Sequence, residues 1–211
     1  LGSKLPVSEL HVRLRSPSLF VRTEALRALR MSPLNQETVE LLIHEINEHH
    51  FTTAHLGAEI AGELRIQKSI PVLRETLHSE DYLLCSKAMV ALAQLEDRRS
   101  LPHIIEIFSH TTNPRMTIYG AKSIELFGDS KGLDPLLTKL ETADYPFVRD
   151  DIIVSIAGLL GLYEWFYGIY SLYLNEPAEA LTTLHTMRGA TIDPKKRNAL
   201  IETIEDRKSV V

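Results

Sequence analysis

Little in this 211-residue chain speaks directly for chemistry. It has one cysteine, Cys85, so no internal disulfide can form, and the composition predicts a reducing compartment. A cationic excess is missing too: 23 Lys and Arg stand against 28 Asp and Glu, for a net charge of −5. That argues against an electrostatic nucleic-acid footprint, which needs clustered positive charge. No stretch alternates apolar and polar residues with β-branched enrichment, so no sheet is expected. Gly-rich phosphate loops, a nucleophile elbow and zinc-ligand spacing are absent. The segment from Leu1 to Pro6 shows no signal-peptide pattern, and the expected location is cytoplasmic.

What the chain does have is periodicity. VRTEALRAL from Val21, TAHLGAEIAGELRIQKSIPVL from Thr53, LCSKAMVALAQLEDRRSLPHI from Leu84, MTIYGAKSIELFGDSKGLDPL from Met116 and VRDDIIVSIAGLLG from Val148 align at spacings of 31 or 32 residues. A fixed period of this size means stacked supersecondary units. Apolar and small residues recur at positions 1, 5, 8, 9 and 12 of each copy, one face of an α-helix: Leu84, Ala88, Ala91, Leu92 and Leu95 in the third copy. Position 5 reads Ala25, Gly57, Ala88, Gly120 and Ile152, and its small side chains predict a close neighbour. A second apolar set follows, as in Ile70, Leu73 and Leu77, so each unit reads helix, turn, helix. Ser18, Asp81 and Asn113 stand where first-helix caps belong, and Asp97 and Asp129 are the expected caps of second helices. Leu10 and Leu14 are spaced like the second helix of a preceding unit.

The segments AMVALAQLED, GAEIAGEL with SIP, and GAKSIELFGD resemble the short HEAT-like repeats of the phycobilisome-lyase type. That resemblance implies an all-α superhelix of about five helix pairs, with second helices lining the concave face. The domains expected are 1–15 as an N-terminal cap or remnant unit, 16–174 as the solenoid, and 175–211 as closing helices. SPSLFVRTEALRAL and FVRDDIIVSIAGLL also resemble, more distantly, HEAT-like tails of bacterial membrane transporters, and the chain reads as part of a longer protein. Ile152 to Leu174 carries one charge, Glu164, and is long enough to span a bilayer, yet its repeat register favours two solenoid helices.

Candidate site residues come from two places. The outward positions of the second helices form a ladder of His44, Glu75, Glu106 and Thr138, flanked by Glu45, Thr76, Ile107, Lys139, His103 and His110. The aromatic run YEWFYGIYSLYL supplies Tyr163, Trp165, Tyr167 and Tyr173, of the kind interfaces enrich. His44, His49, His50 and His55 lie close in sequence, but no local residues complete a ligand set, so neither metal nor cofactor is expected. The repeat family's di-iron hydroxylase carries His-Glu pairs in its first helices; none stands at those positions here. A partly packed thiol is the reading for Cys85, since Lys87 alone is thin support for a reactive one. The expectation is therefore a non-catalytic scaffold binding another protein or another domain of its own chain. Two alternatives stand beside it: the soluble cytoplasmic domain of a bacterial membrane transporter, and a bilin-lyase-like enzyme holding a small ligand in the concave groove.

Overall fold

A computed structural model describes residues 6–48, 50–159 and 161. The described residues form ten α-helices and no strand. In chain order these are α1 (Val7–Leu14), α2 (Leu19–Leu29), α3 (Gln36–Asn47), α4 (Phe51–Glu63), α5 (Ile70–Thr76), α6 (Tyr82–Gln94), α7 (Leu101–His110), α8 (Pro114–Phe127), α9 (Leu133–Thr142) and α10 (Pro146–Leu159). Two compact units contain them, residues 1–127 and 128–211, with α9 packed on α10 in the second. The all-α repeat architecture expected from the sequence is the one observed.

Helix ends repeat as regularly as the cores. Asp81 accepts from the Leu83 and Leu84 amides, and Asn113 from Arg115 and Met116, supplying acceptors for orphan N–H groups. Ser18 holds the equivalent position without a side-chain cap bond. First helices close on a left-handed residue: Arg65 at φ 51°, Glu96 at 58°, Gly128 at 62° and Gly161 at 69°. The Ile66 amide then reaches back to the Ala61 carbonyl and Asp97 to Leu92, the wide closing bond of a Schellman-type end. Pro33 takes that place after α2, and a proline ring cannot adopt positive φ.

Packing within the first unit shows which helices are true neighbours. First helices α2, α4, α6 and α8 lie side by side, with the closest association among α4, α6 and α8. Each second helix pairs most closely with the first helix of the following unit: α1 with α2, α3 with α4, α5 with α6, α7 with α8. The packed hairpin therefore straddles the sequence repeat. Position 5 lies at that hairpin contact. A Cβ on Gly57 would come within 2.9 Å of Ile46 Cγ1, and one on Gly120 within 2.9 Å of Phe108 Cδ2. Between first helices the approach is closer still, since a Cβ on Gly62 would sit 2.7 Å from Ala91 Cα. Leu26, Ile60, Leu92, Ile104, Phe108 and Ile124 fill the core.

Polar rungs tie successive helices together. Arg30 reaches Glu59 (2.8 Å) and Glu63 (2.5 Å), and Lys87 Nζ lies 2.5 Å from Glu59 and 5.2 Å from the centre of the Tyr119 ring. Buried Glu45 pairs with Arg22 at 3.0 Å, and buried His11 meets Thr38 at 2.8 Å. Asp97 does not cap α7. Its carboxylate instead takes two bonds from Arg74, 2.8 and 2.5 Å, and one from Ser100 Oγ. A short turn between Asp97 and α7 leaves the cap position to Ser100, while Asp97 is free to clamp α5. Asp129 caps the 3-10 turn ahead of α9 by accepting from the Lys131 amide. Burial alone would raise the Asp97 pKa, but the Arg74 and Ser100 bonds outweigh it and hold it below the usual carboxylate value.

Two stability measurements check this description. Gly62→Ala forces backbone apart at a helix–helix contact and should lower the urea midpoint by the equivalent of about 1–3 kcal/mol. Glu96→Gly relieves left-handed strain and should raise stability by about 1 kcal/mol, since the exposed Arg65–Glu96 pair it removes is worth little. An unchanged midpoint in the first variant would mean that α4 and α6 do not touch there. Because the folded pKa of Asp97 is depressed, its contribution is complete above the ordinary carboxylate range and is lost as pH falls through the folded value. Asp97→Asn should therefore cost about 1–2 kcal/mol at neutral pH, with the gap to wild type closing under acid. A gap that persists when the wild-type carboxylate is protonated would point to a shape effect instead.

Candidate functional site

The exposed face of the second helices carries the candidate residues. In the first unit Val12, His44, Glu75 and Glu106 occupy equivalent positions on α1, α3, α5 and α7, and all four are exposed. Helical spacing dictates this: Leu42 with Ile46, Leu73 with Leu77, and Ile104 with Phe108 bury the opposite stripe. His44 lies 3.7 Å from Glu48 one turn on, and His110 Nδ1–H donates to the Glu106 carbonyl at 2.9 Å. Two flanking residues belong elsewhere. Glu45 is buried against Arg22, and Thr76 is buried with its hydroxyl donating to the Leu73 carbonyl. Each sits one position past an outward residue, and that rotation turns it into the packed side.

His103 is half-buried, and its ring lies against that of His78, centroids 4.7 Å apart and planes tilted by 40°. His78 was not among the residues expected from the sequence. Repeat alignment places His103 opposite Val72, so the pair arises from an offset between neighbouring helices that no repeat comparison reveals. Glu75 stands one turn before His78, and Glu106 one turn after His103. The face thus offers carboxylate acceptors and imidazoles that can donate or accept. In the second unit Thr138 is exposed and Lys139 half-buried, and burial holds the Lys139 ammonium below its usual pKa. Tyr163, Trp165, Tyr167 and Tyr173, the two closing helices, and His49 lie outside the described residues.

A second polar cluster sits where α4 meets the start of α6. His55 Nε2 lies 2.6 Å from Asp81 Oδ2, and the Phe51 ring stands edge-on to His55 at 4.6 Å. Burial alone would lift Asp81, yet the His55 contact and the Leu84 and Leu83 amides leave its pKa lowered. Cys85 lies beyond it, fully buried, with Sγ–H donating to the Leu77 carbonyl at 3.4 Å. Burial, with Asp81 adding to it, raises that thiol to about 11, so it has no nucleophilic character near neutral pH. Among the described residues no three His, Cys, Asp or Glu side chains converge on a point where a metal ion could sit. Among those residues, too, no helix is long and apolar enough to cross a membrane; most of the apolar stretch from Ile152 to Leu174 lies outside them.

Residues 84–110 match the family model described as the PBS lyase HEAT-like repeat. No curated protein matches the sequence. Among solved structures the chain is similar to one in the complex of CpcE and CpcF of phycocyanin lyase from Nostoc sp. PCC7120. That similarity covers 100% of this chain and 91% of the other, with 16% identity and a TM-score of 0.65. The expectation of a non-catalytic scaffold, and with it the reading that the chain is no enzyme, is corrected here. The repeat model is named for a lyase and the similar chain belongs to a lyase complex, and these findings back the bilin-lyase-like alternative. The repeat motif occupies packing and capping positions, which serve a catalytic solenoid and an inert one alike, so the sequence could not separate the two. Residues 84–110 are a HEAT-like repeat of the phycobilisome-lyase type, carried by a chain with the helical fold of the phycocyanin-lyase complex.

Proposed function

We propose that the chain is a bilin-lyase-like protein that holds a linear tetrapyrrole against the exposed face of its second helices and acts together with a protein partner. The observation that carries this reading is the likeness in fold to a phycocyanin-lyase chain along the whole length of this one. The chemistry of the face agrees with it. A linear tetrapyrrole presents pyrrole N–H donors, which suit the Glu75 and Glu106 carboxylates, and carboxylate arms, which suit imidazole donors. The His78–His103 pair adds polarisable imidazole rings against which a conjugated ring can pack. Lysine and cysteine nucleophiles are not needed on such a face if the thiol that receives the chromophore belongs to the acceptor protein; the role here is to bind, orient and shield.

The reading is tested by titrating purified protein with phycocyanobilin and following its visible absorption. Binding should red-shift the long-wavelength band and strengthen it relative to the near-ultraviolet band, as an extended, ordered bilin does. A variant combining His103→Ala with Glu75→Ala should bind about tenfold more weakly. Lys122→Ala, on the outer side of α8, should leave binding unchanged. An absorption spectrum that does not respond to the protein, or a loss caused equally by Lys122→Ala, would sink the proposal.

A further inference from the structure

The seam between α1 and α3 is closed by a side chain that titrates. His11 is 6% exposed, and both of its ring nitrogens are occupied. Nδ1 lies 3.0 Å from Glu37 Oε2, and Nε2 lies 2.8 Å from Thr38 Oγ1. What each partner can do fixes the protons. The other Glu37 oxygen takes Arg15 at 2.5 Å; that bond outweighs burial and, with His11, holds the carboxyl below its ordinary pKa, so Glu37 only accepts. Thr38 has one hydroxyl proton, and it is committed. Asn35 Oδ1 caps α3 by accepting the Thr38 amide at 2.8 Å, which fixes the side-chain amide, and the Thr38 hydroxyl stands 2.7 Å from the same oxygen. A carbonyl oxygen has no proton to give, so the hydroxyl donates to it and offers His11 a lone pair. Both ring nitrogens therefore face acceptors, and only the imidazolium carries an N–H on each.

The same rung recurs in the stack. In the register that aligns Val12, His44, Glu75 and Glu106, His11 falls on Ile43, Arg74 and Ile105, while Asn35 and Thr38 fall on Asp97 and Ser100 two units later. There Arg74 donates twice to Asp97, at 2.8 and 2.5 Å, and Ser100 Oγ donates to the same carboxylate. In both places a cation on one second helix grips the polar pair ahead of the next. His11 stands where the guanidinium stands. A guanidinium keeps its charge throughout the range a protein meets, whereas an imidazole loses its charge near neutrality.

Among the described residues no other charge on the neighbouring helices reaches His11. On α2, Arg22 pairs with Glu45 of α3, Glu24 with Arg27, and Arg30 at the helix end with Glu59 and Glu63. On α3, Glu40 accepts from Gln36, and His44 lies against Glu48. On α1 itself Glu9 takes Arg13.

We infer that His11 is a proton-operated latch: its imidazolium holds α1 on α3, and the seam loosens when the ring loses a proton. A neutral ring has one N–H for two acceptors. Without the Nδ1 proton a lone pair meets the Glu37 carboxylate; without the Nε2 proton a lone pair meets the Thr38 oxygen. Turning the Thr38 hydroxyl toward the ring only moves the conflict, leaving that oxygen against Asn35 Oδ1. Docked α1 thus holds a proton that released α1 gives up more readily, so docking weakens as pH rises. Release uncovers Leu10 and Leu14, which are 0% and 2% exposed when α1 is seated. Val12 of the candidate face follows His11 directly, yet the latch does not depend on what that face binds.

The test is amide hydrogen exchange of the full chain at about pH 6 and about pH 8, corrected for intrinsic exchange and read in α1 by mass spectrometry. Protection of α1 should fall about tenfold between the two. His11→Arg, which copies Arg74, should keep α1 protected and erase the pH dependence. Thr38→Val removes the acceptor at Nε2, so a neutral ring donating from Nδ1 suffices and the fall should shrink to about twofold or less. Arg74→His should transplant the device, making the melting temperature drop between the same two pH values more steeply than in the wild type. Equal α1 protection at both pH values in the wild type, or a fall that survives His11→Arg, would overturn the latch. Should His11→Arg not fold, an undiminished fall in Thr38→Val overturns it as well.

Discussion

The first unit depends on how closely its first helices can approach one another. At Gly62 and Ala91 the backbones of α4 and α6 come within a distance that a single additional methyl group would contest. Everything else is arranged around that contact. Ile60 and Leu92 become inaccessible because the helices are near, and the Arg30, Glu59 and Lys87 side chains can meet across the seam because the helix axes hold them in range. Dispersion and area burial favour such proximity only when nothing bulky intervenes, which explains alanine, glycine and serine at these positions in place of leucine.

Much of this was legible because stacking imposes a period. The positions 1, 5, 8, 9 and 12 named the buried stripe of α6 residue by residue, and Asp81 and Asn113 capped as their place before a helix implies. Asp97 shows where such reading stops. A carboxylate between two helices resembles a cap, but an arginine one unit earlier, Arg74, competes for it with two donors, and a bidentate charged pair outweighs a single amide. Glu45 and Thr76 fail differently: a helix face has a sharp edge, and a residue one step past the outward position has rotated by about 100° toward the core.

The candidate face was half legible. Outward positions on second helices follow from period alone, so His44, Glu75 and Glu106 were named in advance. The His78–His103 contact depends on how far one helix slides past its neighbour, a quantity set by side-chain volumes at the interface and not by the repeat. Function was less legible than either. The residues that define the repeat are those that touch other helices, whereas a ligand meets the positions that packing leaves unconstrained, and there one sequence carries no signal that separates binding from catalysis.

The pairing of each second helix with the first helix of the next unit has a consequence for how such a chain can change in length. A segment can be duplicated or lost without exposing core only if its two cut points fall between packed hairpins. Those junctions lie in the connections after α2, α4 and α6, whereas the short loops before α4, α6 and α8 run inside a hairpin. The piece that can be exchanged as a whole, α3 with α4 or α5 with α6, is therefore half a period out of step with the motif by which the repeat is recognised.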